Sequence, residues 1–412
     1  MVVFLFLGGT HMSRANSKND DLRDDSIILG LHGQLGFNLG MDSKIKQEDV
    51  IALQPAAPGT YFNAPDIDLS DYDIFVLCMS GGKDSLACLD SLIQAGVDPA
   101  KIEMWHHLVD GNEKAGNFMD WAFMDDYVKK IGLAFGIPVY NSWLKHGFEG
   151  EMLKENSTAH NHIIETPDGF HELKRDPKFT GTRLKFPQVS GNLAVRWCSS
   201  ALKIEVGKRG ISSQDRFLHK NTLFITGERR EESSGRAKYN QLEPHYCDTM
   251  RPKALPKKDW VDGVRTFGKT PKPVRPRKID AWRPVLHYTE EQVWEAIERL
   301  NILAPVPYRA GWSRSSCQTC IFNEADIWAT MKYYWPERLV PLLNYEKRFD
   351  LTIDRSGLNV MQKADKGTPM VIDDEAVLAQ IVSKEYTLPI FAKPGQWTLP
   401  KGAFGKAVSG AT

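Results

Sequence analysis

The sequence predicts an α/β fold: a doubly wound, mainly parallel sheet followed by a helical C-terminal addition. Three observations lead there. From Asp71 onward, short apolar runs alternate with stretches of helical periodicity, the pattern of strands buried on both faces and covered by crossover helices. The first run, Ile74-Phe75-Val76-Leu77-Cys78-Met79, leads directly into Ser80-Gly81-Gly82-Lys83-Asp84-Ser85 and then into a helix with Leu86, Leu89, Leu92 and Ile93 on one face. A later run, Thr222 to Thr226, leads likewise into a charged turn that begins at Gly227. Ligands of open α/β sheets sit beyond such strand ends.

A chain of 412 residues can bury a full core and holds one large domain with additions, or two domains. Its composition, 42% apolar and 25% charged, is that of a globular protein. Lys and Arg total 52 and Asp and Glu total 52, so any nucleic-acid site must be local. The six cysteines, Cys78, Cys88, Cys198, Cys247, Cys317 and Cys320, form no disulfide framework, and a cytoplasmic location is expected. Met1 to Leu7 is apolar but too short to span a membrane, and it lacks a basic leader region; no membrane partner is expected. Residues 1–64 read as a partly disordered N-terminal extension with Met12 and Met41 as alternative starts, and residues 1–45 suggest no function.

Within the expected main domain, residues 65–320, the first strand, glycine turn and helix together make a phosphate-binding device. Glycines let the backbone approach an anion, and the first helical N–H groups point at it. Lys83 adds a point charge, and Ser80 and Ser85 add hydroxyls. The spacing differs from G-x-x-x-x-G-K-[ST], which makes an ordinary P-loop ATPase a poor match. A second strand runs from Ile102 to Val109 and ends at Asp110-Gly111, where Asp110 is a candidate for the nucleotide site. His106 and His107 are adjacent, face opposite sides of that strand, and read as packing residues. A helix over 118–135, with Trp121, Val128, Ile131 and Phe135 at helical spacing, stops at Gly136-Ile137-Pro138, and Pro138 to Trp143 is a third strand. Residues 145–190 are polar and irregular, with turns at Pro167, Gly169 and Pro187; a long active-site loop and a mobile insertion both fit.

Arg196-Trp197-Cys198-Ser199-Ser200 then precedes a basic helical stretch, Leu202 to Arg209. The strand Thr222 to Thr226 delivers Gly227, Arg229, Glu232, Ser233 and Arg236, a turn whose guanidinium groups suit forked binding of phosphate or sulfate. Residues 237–280 form an insertion. Between Arg251 and Lys278 it holds ten Lys or Arg against two Asp, with Trp260 and Phe267 interleaved. Such a segment suits DNA or RNA binding, and equally a solvated loop. Trp282 to Leu286 is the last core strand. Thr289-Glu290-Glu291-Gln292 is a capping box for a helix through Val293, Trp294, Ile297 and Leu300. Residues 321–412 make the C-terminal region, helical over 324–348 with a break at Pro336 and ending in a poorly ordered tail.

The six residues Ser80 to Ser85 after a strand resemble the signature of the PP-loop ATP pyrophosphatases, the adenine-nucleotide alpha-hydrolase superfamily. The Gly227–Arg236 turn and Trp282-Arg283-Pro284-Val285 resemble its PAPS reductase branch, which is similar to DNA phosphorothioation and tRNA thiolation enzymes. The resemblance implies ATP with Mg²⁺ in the loop and cleavage between the α and β phosphates. Lys83 and Asp84 would then be catalytic, and Ser80 to Ser85, Asp110, Gly227, Arg229, Glu232, Ser233 and Arg236 would bind the nucleotide. It also implies a [4Fe–4S] cluster on Cys198, Cys317 and Cys320, with zinc as second choice. Ser199 stands where cluster-type reductases carry a second cysteine, so one iron is open unless Cys247 closes the site. No cysteine follows Cys320. Sulfonucleotide reductases attack with a thiolate in a C-terminal tail, so reduction by that route is not expected.

The leading expectation is therefore an ATP-dependent sulfur-transfer enzyme that adenylates an acceptor, with nucleic acid as acceptor and a cysteine desulfurase or similar protein as sulfur donor. The alternatives are a PAPS or APS reductase-type oxidoreductase using an external thiol, and a non-catalytic nucleotide- and nucleic-acid-binding subunit with a structural metal.

Overall fold

The structure is a computed structural model that describes residues 67–405, except 115–116, 254, 256, 260, 262–265 and 270. The expected N-terminal extension 1–64, Trp260 and Arg265 of the basic segment, and residues 406–412 of the tail lie outside the described residues.

Eight strands form one sheet: β1 (Ile74–Cys78), β2 (Ile102–His107), β3 (Val139–Leu144), β4 (His162–Thr166), β5 (Gly169–Leu173), β6 (Asn221–Ile225), β7 (Leu242–Pro244) and β8 (Lys278–Trp282). Their spatial order is β5-β4-β3-β2-β1-β6-β8-β7. The central pairings, β3–β2, β2–β1, β1–β6 and β6–β8, are all parallel. The outer strands β4, β5 and β7 pair antiparallel. From β1 the chain moves to one side through β2 and β3, then returns on the other side as β6 and β8. The order reverses between β1 and β6, which opens a crevice at their carboxyl ends.

Side chains alternate across the strands and bury both faces. Phe75 and Leu77 join the larger core with Met104, Leu223, Ile225 and Trp282. Val76 points the other way, to Trp105, Phe224 and Ile279. The larger face is covered by α1 (Lys83–Gln94), α2 (Met124–Ala134) and, after the short α3 (Gly147–Met152) and α4 (Glu205–Ser213), by α5 (Glu290–Arg299). Ile211 of α4 and Phe217 cover the smaller face. The expected capping box of α5 is present: Thr289 Oγ1 accepts the Gln292 N–H at 3.3 Å, and the Gln292 carboxamide accepts the Thr289 N–H at 2.9 Å.

The C-terminal helices α6 (Ala325–Tyr334), α7 (Val340–Phe349) and α8 (Glu375–Val382) break at Pro336 as expected. Trp335, Leu339, Leu342, Val377 and Tyr386 belong to the same larger core as the sheet. Among the described residues no helix is long and apolar enough to cross a membrane.

Three boundaries differ from expectation. The helix expected over 118–135 begins only at Met124, because the Asp110 carboxylate accepts the N–H groups of Met119 (2.9 Å) and Asp120 (2.8 Å) and holds them in a loop. The last core strand is 278–282 rather than 282–286, since Pro284 has no N–H for a ladder. The irregular stretch 145–190 contains α3 and the hairpin β4–β5, turning at Pro167-Asp168.

Candidate nucleotide site and thiol wall

The loop after β1 turns where only glycine is comfortable. Gly81 has φ +75°, and a Cβ there would lie 2.4 Å from Met124 Sδ. The turn is tied by its serines. Gly82 N–H donates to Ser80 Oγ at 3.3 Å, and Ser85 Oγ donates to the Gly82 carbonyl at 2.8 Å. The two hydroxyl oxygens, Ser80 Oγ and Ser85 Oγ, are 3.2 Å apart. Lys83 opens α1 and is buried. Its ammonium lies 3.4 Å from Glu290 Oε1 at the start of α5 and 3.4 Å from the Ser313 carbonyl. Burial works against its charge, but Tyr308, Asp84 and Glu290 outweigh that and raise its pKa.

The turn after β6 meets this loop. Gly227 backs onto the Asp84 carbonyl so closely that a Cβ would sit 2.8 Å from its oxygen. Arg229 Nε donates to Asp84 Oδ1 at 2.6 Å, and Arg229 Nη1 is 3.2 Å from Glu231 Oε2. Burial opposes the Arg229 charge, yet the Asp84 carboxylate and the neighbouring glutamates push its pKa up. Glu232 accepts the Arg229 N–H at 2.8 Å and pairs with Arg236, whose own N–H donates to Ser233 Oγ at 3.2 Å. The two arginines expected to grip phosphate thus face carboxylates here, and Arg229 orients Asp84.

Both loops open on one cleft of about 1890 Å³. Ser80, Gly82, Lys83, Asp84, Arg229, Glu232 and Arg236 line it, and so does Cys317. Asp110 is turned to another task, holding the 119–120 backbone, and its neighbour Asp120 faces the cleft instead. His106 and His107 reach the cleft but are anchored: their Nδ1 atoms lie 2.8 Å from the Met79 carbonyl and 2.8 Å from Ser142 Oγ. Burial lowers both imidazoles, His107 to about 3.

The thiols come from two elements. Cys198 lies in the first turn of a helical stretch that begins at Trp197 and passes through a π-turn, Ser200–Ile204, before becoming α4. Cys317 and Cys320 lie in the loop before α6, where Trp121 Nε1 donates to the Ser316 carbonyl at 2.6 Å. Burial, with Cys320 nearby, pushes Cys198 up to about 11. Lys203, on the π-turn, faces the cleft within electrostatic reach of Cys317, Asp120, Cys198 and Cys320; burial opposes its charge and these groups together raise its pKa. Cys247 is elsewhere. It packs in the core of the smaller face, its sulfur 3.7 Å from Ser212 Oγ, so it does not complete the set. Among the described residues no three His, Cys, Asp or Glu side chains close on one metal position. The three thiols therefore share a neighbourhood without forming a finished ligand set.

Sequence reasoning missed Tyr308, Ser313, Ser315 and Glu290 around Lys83, and Asp120 and Lys203 beside the thiols. Only Lys203 had a local signal, five residues after Cys198 in a basic helix.

The chain matches no protein-family model and no curated protein. Among solved structures it is similar to the Candida glabrata FMN adenylyltransferase in complex with ATP, at 11% identity and a TM-score of 0.26, covering 72% of this chain and 64% of that one. The same enzyme with FMN and the ATP analogue AMPCPP aligns at 10% identity and a TM-score of 0.25, covering 73% of this chain and 66% of that one. The chain thus spans slightly less than two thirds of that enzyme's length.

Proposed function

We propose that this chain binds ATP, as its Mg²⁺ complex, in the Ser80–Ser85 loop and transfers the adenylyl group to an acceptor. An acceptor oxygen attacks the α phosphorus, the bond to the β phosphate breaks, and pyrophosphate leaves. The α1 N-terminus and Lys83 stabilise the leaving charge. Asp84, oriented by Arg229, holds the loop or the metal. One observation carries this reading: the loop lies at the order reversal of a parallel sheet and opens on the same cleft as Cys317.

The finer reading is sulfur transfer. Sulfide delivered by the sulfur-donor protein attacks the acceptor carbon beside Cys317, the C–O bond to the adenylyl group breaks, and AMP leaves with both bonding electrons while the sulfur stays on the acceptor. Cys198, Cys317 and Cys320 would hold a [4Fe–4S] cluster, or zinc as second choice. Among the described residues these thiols do not converge on one metal position. Iron and sulfide analysis of anaerobically purified protein tests for the cluster. Nucleic acid remains the proposed acceptor, supported by the composition of the basic segment. Arg251, Arg275 and Arg277 are tied into the fold, to Asp248 and Asp280, to Asp215 and to the Ser212 carbonyl, and Lys253 donates to the Tyr246 carbonyl at 2.7 Å, which leaves the exposed Lys258, Lys269, Lys272 and Lys278 as the contacts to test.

Pyrophosphate release from ATP is the decisive assay. Lys83→Ala should lower it by roughly 100-fold or more, the usual loss when one stabilising donor is removed. Release at the wild-type rate by this variant would overturn the assignment.

A further inference from the structure

We propose that the segment 308–316 is a strap that holds the nucleotide loop unloaded and gives way when pyrophosphate oxygens enter. This rests on the ATP-binding reading above and concerns the regulation of that same site. A phosphate here would be gripped by the first N–H groups of α1 and by the Lys83 ammonium. Both already have partners. The Tyr308 hydroxyl accepts the Lys83 N–H at 3.2 Å, and the Ser313 carbonyl accepts from Lys83 Nζ at 3.4 Å. Ser315 Oγ lies so close over the loop that a Cβ on Gly82 would be 2.5 Å from it. The strap offers the loop the oxygens that a phosphate would offer, so strap and phosphate compete for the same donors.

The strap also has the build of a moving part. Tyr308 is fixed by its ring, edge-on to Trp294 with centroids 5.0 Å apart, so one end is anchored. Gly311, at φ +100°, makes the turn, and Trp312 beyond it is buried edge-on to Trp121 with centroids 5.4 Å apart, so the part that yields is 313–315. Beyond Trp312 come Ser313, Ser315 and then Cys317, which faces the cleft. Ser316 is held by Trp121 Nε1 at 2.6 Å, so the run 313–315 yields between two fixed points, next to Cys317.

The test is binding of a non-hydrolysable ATP analogue to the full chain, Tyr308→Phe and Ser315→Ala, with amide hydrogen exchange across 311–316. Phenylalanine keeps the ring packing and removes only the competing hydroxyl. Tyr308→Phe should bind about 2- to 10-fold tighter, the shift expected from one net hydrogen bond, and Ser315→Ala, which removes the oxygen covering Gly82, should bind tighter as well. Exchange across 311–316 should quicken when wild type is loaded. Weaker binding by either variant, or slower exchange on loading, overturns the strap and makes these hydroxyls phosphate ligands. Unchanged affinity with unchanged exchange also overturns it, leaving the ATP reading in place. Absence of binding by all three proteins removes both.

Discussion

Asp110 shows how one carboxylate can shape a site without entering it. It accepts backbone N–H groups from Met119 and Asp120, and this keeps Asp120 at the cleft and α2 short. Burial, aided by the Asp120 charge, pushes Asp110 up to about 6 despite those hydrogen bonds. Its value in the fold then exceeds that of the unfolded chain, near 4. Between about pH 4 and 6 the folded state binds more protons than the unfolded state, so stability falls as pH rises through that window. The span of two units is worth up to about 3 kcal/mol. Asp110→Asn keeps an acceptor oxygen and removes the charge. Urea midpoints measured from pH 4 to 7 should fall less steeply for the variant than for wild type, and equal slopes would refute the role.

At the scale of elements, α5 brings Glu290 to Lys83, and its start depends on the Thr289 cap. Thr289→Ala should cost about 1 kcal/mol, read as a lower urea midpoint, and should also loosen Lys83; a variant with wild-type stability and wild-type ATP binding would show the cap to be idle. This cap was legible because both halves of the box lie within four residues. The strands β1 and β6 were legible for a related reason: burial on both faces gives nearly continuous apolar runs. The hairpin β4–β5 was not, since His162, Glu165 and His171 interrupt its apolar residues and its pairing uses the edge of β3. The nucleotide loop itself was read from six adjacent residues. Its partners were invisible, because Tyr308 and Ser313 reach it only through the folded chain.

For the whole molecule, the C-terminal helices and the sheet share one core, with Trp335, Leu342, Val377 and Tyr386 joined to the cluster that contains Phe75 and Leu77. Unfolding of the described region should therefore be a single cooperative transition, followed equally by tryptophan fluorescence and far-ultraviolet circular dichroism. Two separated transitions would mean that the C-terminal helices fold on their own. Lys83 touches Ser313 across 230 positions of sequence. At ribosomal speeds of about 5–20 residues per second, on the order of 10–45 seconds separate the making of Lys83 from that of Ser313. Until then Lys83 lacks one of its partners, so on the proposed reading any turnover waits on translation.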